Sequence, residues 1–381
     1  MEFELGEDLT MVRDMARDFA EKELMPRATK HDRDETLDRE IFPMLAELGM
    51  FGLIIPEEYG GSGLGNVELC TVLMELNRAC ASTGVTVSVH NSLVASPIKR
   101  HGTEEQKKAW LPKLASGELI GAYCLTEANA GSDAAALATT AVEDGDHFVL
   151  NGTKLWVTNG ADAGLYIVYT RTDPDQPKAR GISAFLVPRD TPGLTVGKKE
   201  LKAGIRGSST TEILLENVRV PKENLLGERG RGFHLAMDTL DGGRIGIASQ
   251  AVGIGQACLE ASVKYSNERQ QFDQPLANFQ AIQWKIADMG TRIEAARLLT
   301  WKAAQLRDRD LPCNLEAAQA KLFASQSANF AADECLQIHG GAGYTDDFHV
   351  ERLFRDARIT EIYEGASDIQ RIVIARKLIA S

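Results

Sequence analysis

Four short segments of this 381-residue chain carry residue types that can do chemistry. Residues 360–370 read Thr-Glu-Ile-Tyr-Glu-Gly-Ala-Ser-Asp-Ile-Gln, and Glu364 stands there between a tyrosine and a glycine, just ahead of the last helical pattern. A carboxylate on such a connection can point into a cleft, where partial desolvation raises its pKa toward the range of a general base. It also reads as a solvated loop glutamate, which most loop glutamates are. Residues 123–133 read Tyr-Cys-Leu-Thr-Glu-Ala-Asn-Ala-Gly-Ser-Asp. Small hydroxylated residues at the edge of a β region leave backbone N–H groups free for the rim of a heterocycle or a pyrophosphate, although an ordinary turn looks the same. In Lys-Leu-Trp-Val-Thr-Asn-Gly, residues 154–160, Trp156 can lie against an aromatic ring and the Thr158 hydroxyl can reach a ring nitrogen. A core tryptophan in a strand is the plainer reading. Residues 335–344 read Cys-Leu-Gln-Ile-His-Gly-Gly-Ala-Gly-Tyr. Three glycines after a helix let a backbone approach a ligand closely, and Gly340 alone would explain a helix stop.

Other chemistries drop out. The seven histidines are dispersed and no HExxH occurs, so a zinc site is not expected. Neither a GxSxG elbow nor a GxxxxGK[ST] phosphate loop is present. The run Gly60-Gly61-Ser62-Gly63-Leu64-Gly65 lacks GxGxxG spacing and sits in a helical region, so it reads as a plain flexible loop and not as part of a Rossmann unit. A net charge of −12 with no basic tail disfavours nucleic acid. The six cysteines form no CxxC pair and read as buried thiols of a reducing compartment. No stretch of 18 apolar residues occurs, and the acidic start MEFELGEDLT is neither a signal nor a transit peptide. A cytoplasmic protein is expected, or a mature mitochondrial-matrix form.

The elements that must position these segments fall into three regions. The fold class is α+β: an N-terminal all-α domain over 1–120, a middle β-sandwich or barrel over 121–230, and a C-terminal four-helix bundle over 231–381. In the first, Leu9, Val12, Met15, Ala16 and Phe19 keep helical spacing until Pro26 interrupts it, and Ile41, Leu45 and Leu48 resume it before Gly49. A third helix is expected from Val67 to about Ala81, and Thr103 with Gln106 makes a capping box for a fourth. In the second, Asn151-Gly152 signals a hairpin turn, Leu165, Ile167 and Tyr169 alternate, and strands over Ile182–Val187 and Thr211–Val220 stop at Pro188 and Pro221. In the third, Ile282, Ile286, Met289, Ile293, Ala296 and Leu299 share a helix face, and 314–338 and 368–380 are helical too.

Taken together, these segments resemble the acyl-CoA dehydrogenase family over essentially the whole chain. One family signature is matched by Cys124 through Asp133, the other from Gln337 through Gly340, Gly341, Gly343, Tyr344, Asp347, Arg352 and Asp356. The resemblance implies FAD and a homotetramer. Tyr123, Leu125, Thr126 and Ser132 would contact flavin and pyrophosphate; Trp156, Val157 and Thr158 would line the isoalloxazine. Arg269, Phe272 and Gln280 would hold the ADP half of a neighbouring subunit's FAD, completed by Gln337, Gly340 and Gly341. An anionic pyrophosphate calls for a guanidinium and backbone N–H groups of this kind.

By the same resemblance Glu364 is the base that takes the α-proton of an acyl-CoA thioester, while the β-hydrogen leaves as hydride to flavin N5. The family stabilises the enolate with the base residue's backbone N–H and a ribityl hydroxyl of FAD. Some members carry the base at the position of Gly243, which has no side chain here. Asp241 and Arg244 would meet the CoA arm, or form a helix-face ion pair, and Ser132 and Gly365 would lie along the thioester chain. Thr-Leu-Asp-Gly-Gly-Arg-Ile-Gly-Ile-Ala-Ser-Gln looks most like short-chain, butyryl-type members. Two FAD-contacting positions depart from the pattern: Ala366 lacks a hydroxyl, and Asp368 stands where Gln, Glu or Asn is usual. One lost hydrogen bond weakens binding by about 0.5–1.5 kcal/mol. Electrons would pass to an electron-transfer flavoprotein, with no nucleic acid, membrane or metal involved. The alternatives are a branched short-chain dehydrogenase, an oxidase, or a non-dehydrogenase flavoprotein of the same fold.

Overall fold

The computed structural model describes residues 6–380; the start read at residues 1–5, and Ser381, lie outside them. Helix α1 (Glu7–Phe19) buries Ala16 and Phe19. Pro26 does not end this rod. The backbone widens into a π-helical turn, Ala20–Leu24, and runs on as α2 (Met25–Arg33) with Pro26 in its first turn. Inside a continuous rod the missing N–H leaves one helical bond unmade, and the wider π turn just before it takes up the proline. After α3 (Ile41–Glu47), Gly49 turns left-handed at φ 68°. Helix α4 (Asn66–Ala79) is buried from Leu69 onward. It is followed by a buried rod of α5 (Ala81–Ser88), a π-helical segment Val89–Ala95, and α6 (Ser96–His101). The box expected ahead of α7 (Glu104–Ala115) is formed: the Gln106 amide donates to Thr103 Oγ1 at 3.2 Å, and the Thr103 amide donates to Gln106 Oε1 at 3.1 Å.

The middle region is one mixed sheet of β1 (Ile120–Cys124), β2 (Thr140–Asp144), β3 (His147–Thr158), β4 (Ala163–Arg171), β5 (Ile182–Pro188), β6 (Leu194–Lys199), β7 (Thr210–Pro221) and β8 (Leu225–Leu226). Its order is β6-β7-β3-β2-β4-β5-β8, with β1 parallel to β4. Phe148, Tyr166, Val168, Phe185, Val187, Ile213 and Leu215 meet in one core, so the sheet curls over itself. The other face, with Leu165, Ile167, Tyr169 and Leu186, packs on Ile98, Leu111, Leu114 and Leu235 from the helices. Asn151-Gly152 is not a hairpin turn. It lies inside β3, where the register against β7 shifts between Leu150 and Gly152 and Asn151 Oδ1 accepts the Asn217 amide at 2.8 Å. The β2–β3 turn falls instead between Asp144 and His147, which pair with each other across it.

The third region holds α8 (Gly232–Glu268), a small hairpin of β9 (Gln270–Gln271) and β10 (Gln274–Pro275), α9 (Gln280–Asp308), α10 (Asn314–His339), α11 (Val350–Ile359) and α12 (Ser367–Ala380). Met289, Ile293 and Ala296 of α9 are buried against Ile254 of α8 and the alanine-rich face of α10. Helix α10 packs on α8, α9, α11 and α12, and α4 packs on both α8 and α9, which ties the first region to the third. The architecture is thus a helical N-terminal part, a middle sheet and a C-terminal helical bundle. All six cysteines are buried. Among the described residues, no helix is long and apolar enough to cross a membrane, and no His, Cys, Asp and Glu cluster could hold a metal.

Candidate active site

The connection between α11 and α12 carries Glu364 at φ 52° and Gly365 at φ 99°, two consecutive left-handed residues. Glu364 is half-buried, but its Oε2 is sealed from solvent and has no hydrogen-bond partner among the described residues. That oxygen faces α8. A Cβ added at Gly243 would fall 2.1 Å from Oε2 and 2.7 Å from Leu93 Cδ2 of the π-helical segment, so only glycine leaves room for the carboxylate. Burial pushes the Glu364 carboxyl up to about 7, opposed by Lys321 and then Arg244. A carboxyl in that range can take and release a proton near neutrality.

Three neighbouring elements fix this connection. Lys321 Nζ of α10 donates to the Gly365 carbonyl at 2.8 Å, and Gln370 Nε2 of α12 donates to the same oxygen at 2.7 Å. The Tyr363 hydroxyl donates to Gln250 Oε1 of α8. Arg244 is buried; its Nη1 donates to Asp241 Oδ1 at 2.7 Å, the helix-face pair expected, while its Nε has no partner among the described residues. Asp241 also lines a cavity of about 410 Å³ with Arg100, His234, Met237, Asp238 and Arg307.

The sheet brings two of the sequence segments together. The Leu155 amide donates to the Thr126 carbonyl at 2.9 Å. Lys154, fully buried, donates to Glu127 Oε1 at 2.6 Å and to the Leu125 carbonyl at 3.2 Å. Glu127 accepts in turn from the Ala138 and Thr139 amides at 2.7 and 3.0 Å. Trp156 is no core residue: it is 59% exposed, with φ 53°, where the register of β3 on β7 shifts between Lys154 and Val157. Val157 is buried and Thr158 half-buried beside it. Leu125 is buried, Thr126 half-buried and Ser132 exposed. Tyr123 packs on Tyr169 with ring centroids 5.0 Å apart. Burial holds its phenol well above the ordinary value, with Tyr169 and then the Glu364 charge adding to it, which links β1 to the carboxylate.

Arg269, Phe272 and Gln280 lie on the surface around the β9–β10 hairpin, and Phe272 is 87% exposed. Gln337, Gly340 and Gly341 are exposed at the end of α10, where Gly340 (φ 60°) does stop the helix; a Cβ at either glycine would meet nothing. His339 stacks on Tyr265 at 4.2 Å, and the Arg269 amide donates to the Tyr265 carbonyl, so this turn and the hairpin are neighbours. Ala366 is half-buried and Asp368 exposed, the latter paired with Arg371 at 2.7 Å in the first turn of α12. Lys321, Gln370 and the Lys154–Glu127 pair are site residues that the sequence motifs do not mark. Lys321 left one signal, a lone cation in Ala-Ala-Gln-Ala-Lys-Leu-Phe-Ala-Ser.

Three successive stretches match the N-terminal, middle and C-terminal domain models of acyl-CoA dehydrogenases, over residues 6–118, 122–218 and 230–379. With the helix–sheet–helix order and the sealed carboxylate, this places the chain in the acyl-CoA dehydrogenase family of flavin-dependent oxidoreductases. Within that family it is 51% identical over 378 residues to the mouse mitochondrial short-chain specific acyl-CoA dehydrogenase, covering 99% of this chain and 92% of the relative. Its structure superposes on butyryl-CoA dehydrogenase from Megasphaera elsdenii with a TM-score of 0.97 and 43% identity, over 100% of both chains. A chain in a structure of the electron-transferring flavoprotein of Acidaminococcus fermentans matches with a TM-score of 0.98 and 47% identity, again over 100% of both.

Proposed function

We propose that this enzyme removes the α-proton and β-hydride of a short-chain acyl-CoA, with Glu364 as the base and FAD as its cofactor. The observation that carries the reading is the sealed, unpartnered Oε2 of Glu364 opposite Gly243. An ionisable group left without a partner costs free energy unless a ligand completes its surroundings. The carboxylate takes the proton next to the thioester carbonyl, and the Glu364 amide N–H meets the enolate oxygen. Asp241 and Arg244 receive the CoA arm, with Gly365 and Ser132 along the thioester chain. Bound FAD supplies the acceptance of the β-hydrogen as hydride at its ring.

The fit to FAD rests on exposed, preshaped groups. Trp156 is held outward on a left-handed residue, with Val157 and Thr158 next to it and the Tyr123–Ser132 segment hydrogen-bonded alongside. Thr126 and Leu125 lie on that segment. Arg269, Phe272, Gln280, Gln337, Gly340 and Gly341 form a surface suited to the ADP half of a partner subunit's FAD in a homotetramer, and the three matched stretches support domains divided near residues 120 and 230. Ala366 and Asp368 flank the site, the first without the usual hydroxyl and the second where Gln, Glu or Asn is usual. Electron-transfer flavoprotein as acceptor is supported by the Acidaminococcus match, a bacterial cytoplasm by the Megasphaera match, and a mitochondrial matrix, as the alternative, by the mouse relative.

The test is a panel of straight and branched acyl-CoA thioesters with a dye acceptor. The purified protein is expected to be yellow and to bleach anaerobically with butyryl-CoA. A flavin spectrum unchanged by every short acyl-CoA would sink the reading, and preference for a branched thioester would redirect it.

A further inference from the structure

Lys321 lies in the alanine-rich middle of α10 with no exposed surface. Taking an ammonium out of water costs several kcal/mol unless the interior answers its charge. Its hydrogen-bond partner is not a carboxylate but the Gly365 carbonyl. Gln370 already donates to that oxygen from α12, so two side chains on two helices hold one peptide. That peptide, Gly365–Ala366, lies one residue beyond Glu364, the non-glycine left-handed residue of the connection. Such a residue is strained and persists only where its surroundings fix it. An amide suffices for a hydrogen bond, as Gln370 demonstrates; a lysine adds charge.

We propose that Lys321 is the positioning residue of the base: its ammonium pins the Gly365 carbonyl, holds Glu364 in its left-handed course opposite Gly243, and sets one positive charge behind the carboxylate. The proposal rests on Glu364 being the base. Each group is the other's foremost attractive charge. Burial pushes Lys321 down to about 8, opposed first by Glu364, and Lys321 is the first to oppose the rise of Glu364. The other titratable groups around the pair are Arg244 with Asp241 on α8, Tyr123 on β1, and Glu361 and Tyr363 on the connection itself. Arg244 is tied to Asp241, which leaves Lys321 as the cation free of a direct carboxylate partner beside the base.

The FAD-loaded enzyme separates the two roles. Lys321→Met removes donor and charge; Lys321→Gln keeps a donor and removes the charge. With butyryl-CoA, Lys321→Met is expected to lower kcat by about 30-fold or more. Its acidic limb of kcat/KM moves up by about one pH unit. Lys321→Gln recovers most of the rate at high pH and keeps the displaced limb. An infrared titration of the Glu364 carboxyl, taken as the difference from Glu364→Gln without substrate, reads the same displacement with no turnover required. An unmoved carboxyl titration in both variants overturns the proposal, even if the rate falls. A wild-type protein inert to every acyl-CoA sinks the function, while the infrared shift still decides whether Lys321 governs Glu364. If Lys321→Met does not fold, Lys321→Gln carries the decision alone.

Discussion

Among the described residues two lysines are completely buried, Lys154 in the sheet and Lys321 in the bundle, and their surroundings differ in kind. Lys154 touches a carboxylate directly, and that carboxylate, Glu127, is saturated by the Ala138 and Thr139 amides as well. Its charge is answered on the spot, and the pair clamps the 125–127 turn to β3 so that Thr126 and Leu155 meet. Lys321 touches only a carbonyl, and the nearby carboxylate keeps an oxygen with nothing bound to it. The first arrangement spends its charges on shape; the second leaves one unspent for a ligand. Burial alone therefore does not mark a working group. An incomplete set of partners around a buried charge does.

The comparison breaks most visibly at the unsatisfied carboxylate. Glu364→Gln is expected to lower turnover by about 10³-fold while FAD stays bound, in a dye-coupled assay with the flavin content read from the spectrum. Near-native turnover would move the base elsewhere. In the wild type, kcat/KM should fall about tenfold per pH unit below about 7, because the carboxyl must be ionised to accept a proton and its folded-state value lies there. The stability sign is opposite to that of an ordinary paired carboxylate. A value raised from 4.5 to about 7 means that the folded state holds the proton more tightly, so this contribution is present below about 4.5 and is lost as pH rises through 7. Glu364→Gln should accordingly gain on the wild type in denaturant titrations at pH 8 relative to pH 4.5.

At the satisfied pair the expected damage is to folding. Glu127→Ala strands the Lys154 ammonium and should lower unfolding free energy by about 3–5 kcal/mol, read by denaturant titration. A loss below about 1 kcal/mol would mean that Lys154 finds water or another partner, and the contrast between the lysines would fade. Gly243→Ala sharpens the other side. A methyl group pushed against Oε2 should displace the base and cut kcat by up to about 10²-fold with little change in stability. Unchanged kcat would show that the carboxylate has room to move. The smallest effect is expected at the surface set: Arg269→Ala should weaken FAD retention by about tenfold, measured by cofactor titration of the stripped protein. Full occupancy after dialysis would remove Arg269 from the site.

Much of this was legible in the chain itself, for local reasons. Thr103 and Gln106 satisfy each other across three residues, and Pro188 and Pro221 close β5 and β7 because proline has no N–H to extend a ladder. What misled was a local signal outvoted by its surroundings. Asn151-Gly152 has turn chemistry, yet Gly145-Asp146 stands six residues earlier and takes the turn, leaving Asn151 to bond Asn217 across the sheet. Trp156 alternates as a core residue would, until a register shift turns it out. Pro26 reads as a helix break because sequence spacing does not reveal a π turn. Glu364 was found through the motif around it, whereas Lys321 acts across 44 residues of chain, a separation at which no periodicity speaks.

The π-helical segment Val89–Ala95 has a bearing on how such enzymes diverge. A helix wound this way holds a surplus residue relative to regular α winding. Deleting one residue from it would remove that surplus, so the rod could return to regular winding while the flanking turns keep their faces and Leu93 and its immediate neighbours shift against α8. The wall opposite Gly243 is thus set by how many residues the rod contains as much as by which ones.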